Sequence, residues 1–142
     1  VFSFNCYQMD PTEQIAKVGE LTGLPVLIGE FHFGALDRGL LATGLQAVEG
    51  QAERGKAYRY YVEQAAASPW CVGTHYFTLN DQPVLGSFDG ENYQIGLVDC
   101  CQRPYEEFVT EVSAANAGLY EVVSGHRTPT AEQAKEIPKV GF

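Results

Sequence analysis

At 142 residues and 45% apolar composition the chain is long enough to bury one hydrophobic core, so a single domain is expected. Eighteen acidic residues against nine basic ones give a net charge of −9, which argues against a nucleic-acid or anionic-membrane partner and favours a neutral or cationic ligand. No stretch approaches the ~20 consecutive apolar residues of a membrane span, and Val1-Phe2-Ser3-Phe4 lacks the positively charged start of a secretion signal.

The chain opens in an aromatic run, Val1 to Tyr7, that reads as a strand without a preceding turn signal. Asp10-Pro11-Thr12-Glu13 then has the pattern of a helix start, and Ile15, Val18 and Leu21 follow at helical spacing, so a helix is expected from about Pro11 to Thr22. Gly23 ends it. Pro25 to Phe31 is a continuous apolar run broken only by Glu30 near its end, the signature of a strand buried in a parallel sheet. A glycine-rich loop from His32 to Gly50 leads to an alanine- and tyrosine-rich helix over Gln51 to Ala67, which Ser68-Pro69 stops. Trp70 to Phe77 reads as a third strand, Thr78 to Arg103 as a long polar loop, and Pro104 opens a last helix to about Gly118. Beyond Leu119 the pattern weakens. Strands alternating with helices in this order predict an α/β fold of parallel βαβ units. A phosphate-cradling glycine loop and a Cys-x-x-Cys pair are both absent, which weighs against a complete flavodoxin-like or thioredoxin-like protein.

Cys6, Cys71, Cys100 and Cys101 are read as small buried apolar residues, because two of them sit inside strand-like runs and the adjacent pair lacks the spacer of common zinc ligands. No metal or cofactor is expected.

Titratable and polar residues collect where the strands end: Asn5 and Tyr7, then Glu30 and His32, then His75, Tyr76 and Asp81. In parallel barrels those ends converge on the face where active sites are built. A carboxylate straight after Val26-Leu27-Ile28-Gly29 is costly without partners or solvent, so Glu30 is either a structural ion-pair member or a catalytic group.

Pro25-Val26-Leu27-Ile28-Gly29-Glu30-Phe31-His32-Phe33-Gly34 resembles the seventh strand of the clan A glycoside hydrolases. Asp81-Gln82-Pro83 and Phe88-Asp89-Gly90-Glu91-Asn92-Tyr93 resemble the segment after the eighth strand in β-agarases and β-galactosidase-like enzymes. The resemblance covers residues 1–118 and implies strands six to eight of a (β/α)8 TIM barrel, with 119–142 as a C-terminal tail. It implies a retaining β-glycosidase for a galactan, agar-type or related β-linked carbohydrate, secreted or periplasmic if that substrate is a polysaccharide. Glu30 would be its nucleophile and Tyr7 the hydrogen-bond donor to it. Asn5, His32, His75, Tyr76, Asp81, Asp89, Glu91 and Asn92 would contact the sugar, with Tyr76 standing where the family often has a tryptophan platform.

A full barrel takes about 250 residues, and a retaining enzyme needs a second carboxyl about 5 Å from the first, on the fourth strand in this clan. This chain has no such strand, so it is expected to be weak or inactive alone. The alternative is a half-barrel that binds carbohydrate or serves as scaffold without turnover. Either way, exposed strand edges and a half-wet inner face carrying Val26, Ile28, Val72 and Phe77 predict a homodimer or larger assembly.

Overall fold

Three strands and three helices alternate along the chain in the computed structural model, which describes residues 1–141: β1 (Phe2–Asn5), α1 (Thr12–Thr22), β2 (Val26–Phe31), α2 (Gln51–Ala67), β3 (Cys71–Tyr76) and α3 (Glu106–Val123). The strands form one sheet in the order β1-β2-β3, all parallel.

Local chemistry accounts for the helix ends. Asp10 Oδ1 accepts the Thr12 amide at 2.9 Å and the Thr12 hydroxyl at 2.7 Å, which satisfies a donor at the start of α1. Gly23 closes that helix in the left-handed region at φ 65°, its amide donating to Gly19. Gly19 itself faces Trp70: a Cβ there would lie 2.3 Å from the indole ring, so α1 docks on the start of β3 through a bare backbone. Helix α2 is started from outside, by Asp37 Oδ2 accepting the Gln51 amide at 3.2 Å.

All three helices pack on one face of the sheet. Ile15 of α1, Val26, Ile28 and Phe31 of β2, Ala57, Tyr61 and Val62 of α2, and Phe108 and Val112 of α3 share one core. Phe31 stacks on Tyr61 with ring centroids 4.1 Å apart and meets Tyr76 edge-on. The opposite face is lined by Ser3, Asn5, Gly29 and Gly73, small or polar residues, with Leu27 beside Gly73, and all five are exposed or half-exposed. The expected half-wet face is therefore corrected: Val26 and Ile28 are fully buried beneath the helices, Phe77 is half-buried and, of the four, only Val72 is largely exposed.

Two further expectations change. Helix α3 runs past Gly118 to Val123, because Gly118 makes room for Arg127, whose Nη2 donates to the Gly118 carbonyl at 3.1 Å. The segment after α3 then returns across the molecule. Glu63, fully buried, accepts from Arg127 at 2.9 Å, Arg59 at 3.0 Å and the Thr130 amide at 2.7 Å. Burial raises its carboxyl, but these three donors outweigh that and hold it below the ordinary range. Of the cysteines, Cys6 is buried and Cys71 half-buried, whereas Cys100 and Cys101 are exposed on the polar loop, and all four are free.

Candidate active site

The register of β1 against β2 slips by one residue, so that Asn5 lies opposite Glu30 and Gly29 is left over. A Cβ on Gly29 would come within 2.9 Å of Asn5 Oδ1 and 3.0 Å of Ser3 Oγ. The glycine thus leaves room for the Asn5 amide, whose Nδ2 donates to Glu30 Oε2 at 2.8 Å. Tyr7 Oη donates to the same oxygen at 2.6 Å. Two donors on one oxygen grip the carboxylate by a single edge. Burial first, then the hydrogen bond and negative charge of Glu30, push the Tyr7 phenol up, which keeps it a protonated donor. The Tyr7 carbonyl is fixed in turn by Gln46 Nε2 at 2.7 Å.

His32 stands behind Tyr7, ring centroids 4.8 Å apart, with Tyr93 and Phe77 on its other sides. Its Nε2 accepts the Leu45 amide at 2.8 Å. Burial, then the positive charge of Arg54, push the imidazole down to about 3. A neutral ring whose Nε2 accepts carries its proton on Nδ1, and no partner for Nδ1 is present among the described residues. His32 is a neutral wall to the site.

The long loop after β3 borders this cluster. Gln82 organises it: its Nε2 donates to Glu91 Oε2 at 2.5 Å and its Oε1 accepts the Tyr93 amide at 2.9 Å. Glu91 is close enough for its charge to act on the Tyr7 phenol. Asp81 is buried, accepting from Tyr105 Oη at 2.5 Å and from the Gly96 amide at 2.8 Å, and burial raises its carboxyl.

Of the residues named from sequence, the structure brings Asn5, Tyr7 and Glu30 into direct contact, with His32 behind them and Glu91 within electrostatic reach. Asn92 is half-buried in the same loop, Asp89 is exposed and accepts the Glu91 amide, and His75 is exposed on β3. Tyr76 stands at the end of β3. Its phenol turns into the core, where it donates to the Ile95 carbonyl at 2.9 Å, because a bulge between Cys71 and Gly73 changes which residues of β3 face the helices. Asp81 likewise serves the loop's interior.

Sequence reading missed Arg54. It is fully buried and donates through Nε to the Phe33 carbonyl at 2.7 Å, through Nη1 to Gln51 Oε1 at 2.6 Å, and through Nη2 to the Gly96 carbonyl at 2.7 Å and Tyr76 Oη at 3.1 Å. Its guanidinium lies 4.1 Å from the Phe108 ring centre. One side chain therefore ties the segment after β2 to the loop after β3. The signal was present in the spacing Gln51, Arg54, Tyr58, Tyr61, Ala65, which puts the arginine on the buried stripe of α2. Phe77, Gln82 and Tyr93 were also missed as site neighbours.

No protein-family model matches the chain. Among curated proteins it is 37% identical over 123 residues to β-agarase B of Vibrio sp. (strain JT0107), covering 84% of this chain and 13% of the relative. β-Agarase A of the same strain is 35% identical over 130 residues, with the same coverage. The chain is similar to β-agarases. Among solved structures, one described as an exo-β-agarase matches with a TM-score of 0.81 at 37% identity, covering 87% of this chain and 17% of that one. The agarase AgWH50C matches at 0.79 and 38%, covering 85% and 19%. The chain spans 13% of the length of its curated relatives, so what it shares with them is one α/β segment containing three parallel strands. Among the described residues no helix is long and apolar enough to cross a membrane.

Proposed function

We propose that the chain is the nucleophile-bearing part of a retaining β-glycosidase acting on a neutral, β-linked galactan of the agar type, its strands being the sixth to eighth of a (β/α)8 barrel. One observation carries the reading: at the end of β2 a carboxylate is held on a single oxygen by two donors from the end of β1. The similarity to β-agarases supports the substrate class.

In this mechanism Glu30 attacks the anomeric carbon through Oε1, the bond to the leaving oxygen breaks, and a glycosyl ester forms; water then attacks the same carbon and returns the carboxylate. Asn5 and Tyr7 favour the ionised carboxylate and fix its orientation before attack. His32, with Tyr93 and Phe77 around it, closes the wall behind Tyr7, and Glu91, Asn92, Asp89 and His75 supply sugar contacts. Residues 1–118 make the barrel portion. The acid that protonates the leaving oxygen is a second carboxyl about 5 Å away. Glu91 is tied to Gln82 within the loop, and the clan that the chain resembles carries this acid on its fourth strand, so we assign that group to sequence outside these 142 residues and expect the chain alone to turn over weakly or not at all.

Glu30→Gln in the full-length protein encoded by its gene is the test. An amide is nearly isosteric but cannot form the ester, and loss of a covalent catalyst costs several kcal/mol of barrier, so hydrolysis of agar oligosaccharides should fall by more than about a hundredfold. A variant retaining above about a tenth of the wild-type rate overturns the assignment. The missing second carboxylate also favours a second reading, a sugar-binding half-barrel without turnover, for which the full-length protein would bind oligosaccharide and never cleave it. Without upstream strands, β1 and β3 are open edges that a second copy would cover. Sedimentation equilibrium of the 142-residue chain should then show a dimer or larger species at micromolar concentration, and a monomer counts against it.

A further inference from the structure

Resting on that reading, we propose that the tip of the loop after β3 is an outlying carbohydrate subsite, with Phe88 as a stacking platform and Leu85 as its apolar flank, for the units of a sugar chain that runs past Glu30.

The tip is built from two successive tight turns. The Gly86 amide donates to the Pro83 carbonyl at 2.8 Å and the Gly90 amide to the Ser87 carbonyl at 2.9 Å, each glycine lying at positive φ. The first turn puts Leu85 into water at 99% exposure with Val84 beside it at 62%, and the second puts Phe88 there at 104%. Single exposed apolar residues are ordinary, but here two of the most exposed in the chain sit three residues apart on a fixed frame. The frame is fixed because the Ser87 amide donates to the Glu91 carbonyl at 2.8 Å and Gln82 holds both Glu91 and Tyr93. A pyranose offers a patch of C–H groups edged by hydroxyls, and it is bound by an aromatic ring with carboxylate or amide groups beside it. Phe88 followed by Asp89, Glu91 and Asn92 supplies that combination.

Two observations select a neutral sugar chain as the occupant. The loop carries Asp81, Asp89, Glu91 and Asp99 against Arg103 alone, and the whole chain has a net charge of −9, so an anionic polymer or a second copy of this chain would be repelled there. The tip is also continuous with the carboxylate cluster, since Glu91 is bonded to Gln82, Gln82 to Tyr93, and Tyr93 packs on His32, which packs on Tyr7. A short glycoside seated at Glu30 has no need of Phe88. A long chain does.

The test measures affinity of the full-length protein, in a Glu30→Gln background that prevents turnover, for an agarose-derived disaccharide and an octasaccharide. Phe88→Ala should weaken octasaccharide binding about three- to tenfold more than disaccharide binding, and Phe88→Tyr should restore it. Equal losses for the two lengths, or no loss for the octasaccharide, overturn the subsite. If Phe88→Ala or Leu85→Ser instead turns a dimer into a monomer while octasaccharide affinity stays constant, the tip is a self-association surface and the proposal fails. If the parent protein binds neither sugar, the galactan reading itself falls and takes this inference with it, an outcome separate from the loss of length dependence alone.

Discussion

Glu30 and Arg54 both carry a formal charge near the strand ends, and the fold treats them in opposite ways. The guanidinium is fully buried, spans four acceptors and lies over an aromatic ring, so its charge is spread among carbonyl and hydroxyl dipoles. The carboxylate has both of its donors on one oxygen and faces the side of the sheet that no helix covers. A charge used for structure is saturated. On the proposed function, the nucleophile's charge is oriented from one side and left approachable from the other, because a carboxylate wrapped on both oxygens would have to break bonds before it could attack.

The sharpest way to break this contrast is Arg54→Met. It strands the Gly96 carbonyl and the Gln51 side-chain oxygen and leaves the Phe33 carbonyl only the Tyr76 hydroxyl. Each buried acceptor left unsatisfied costs about 1–3 kcal/mol, so urea denaturation should show a loss of about 2–6 kcal/mol. Arg54→Lys should recover less than half of that, since one ammonium cannot span four separated acceptors. A methionine variant within about 1 kcal/mol of wild type would mean that the saturation is incidental. Tyr7→Phe probes the other side. On the proposed function, removing one of two donors to Glu30 in the full-length protein should raise the barrier to hydrolysis by about 1–3 kcal/mol while costing under about 1 kcal/mol of stability. Unchanged kinetics and an unchanged pH profile would detach Tyr7 from the reaction.

A smaller effect concerns the wall between them. His32 is held neutral down to about 3 in the folded chain against 6.5 as its ordinary value, so between those pH values the unfolded chain takes up a proton that the folded one refuses. Its contribution to stability is complete above 6.5 and is lost as pH falls, with a limiting slope of about 1.4 kcal/mol per pH unit. His32→Gln keeps an acceptor for the Leu45 amide and removes the titration. The wild-type stability curve should therefore fall away from the variant's below 6.5, and parallel curves would show the ring to be accessible.

Much of this was legible. Each strand lies within its predicted run, α2 spans the predicted Gln51–Ala67, and Asn5, Tyr7 and Glu30 were named because polar groups at the ends of parallel strands converge. Two kinds of information were not. The facing of Tyr76 depends on a bulge in β3, and one extra residue reverses every side chain beyond it, which alternation alone cannot reveal. Arg54 was hidden because α2 buries Gln51, Arg54, Tyr58 and Glu63 along with its alanines, so the buried stripe does not read as apolar. Its meaning lies in carbonyls 21 and 42 residues away.

The contact between Gly19 and the indole of Trp70 has an optical consequence. Trp70 is the only tryptophan in the chain, so fluorescence on excitation at the red edge of protein absorption comes from a single, half-buried ring pressed against α1. That ring sits before β3, at the end of the sheet remote from Glu30, since all three strands run parallel. Its emission colour is therefore a gauge of whether α1 is seated, largely blind to what occupies the carboxylate end, and Gly19→Ala would change that colour by prising the helix off the indole without touching the site.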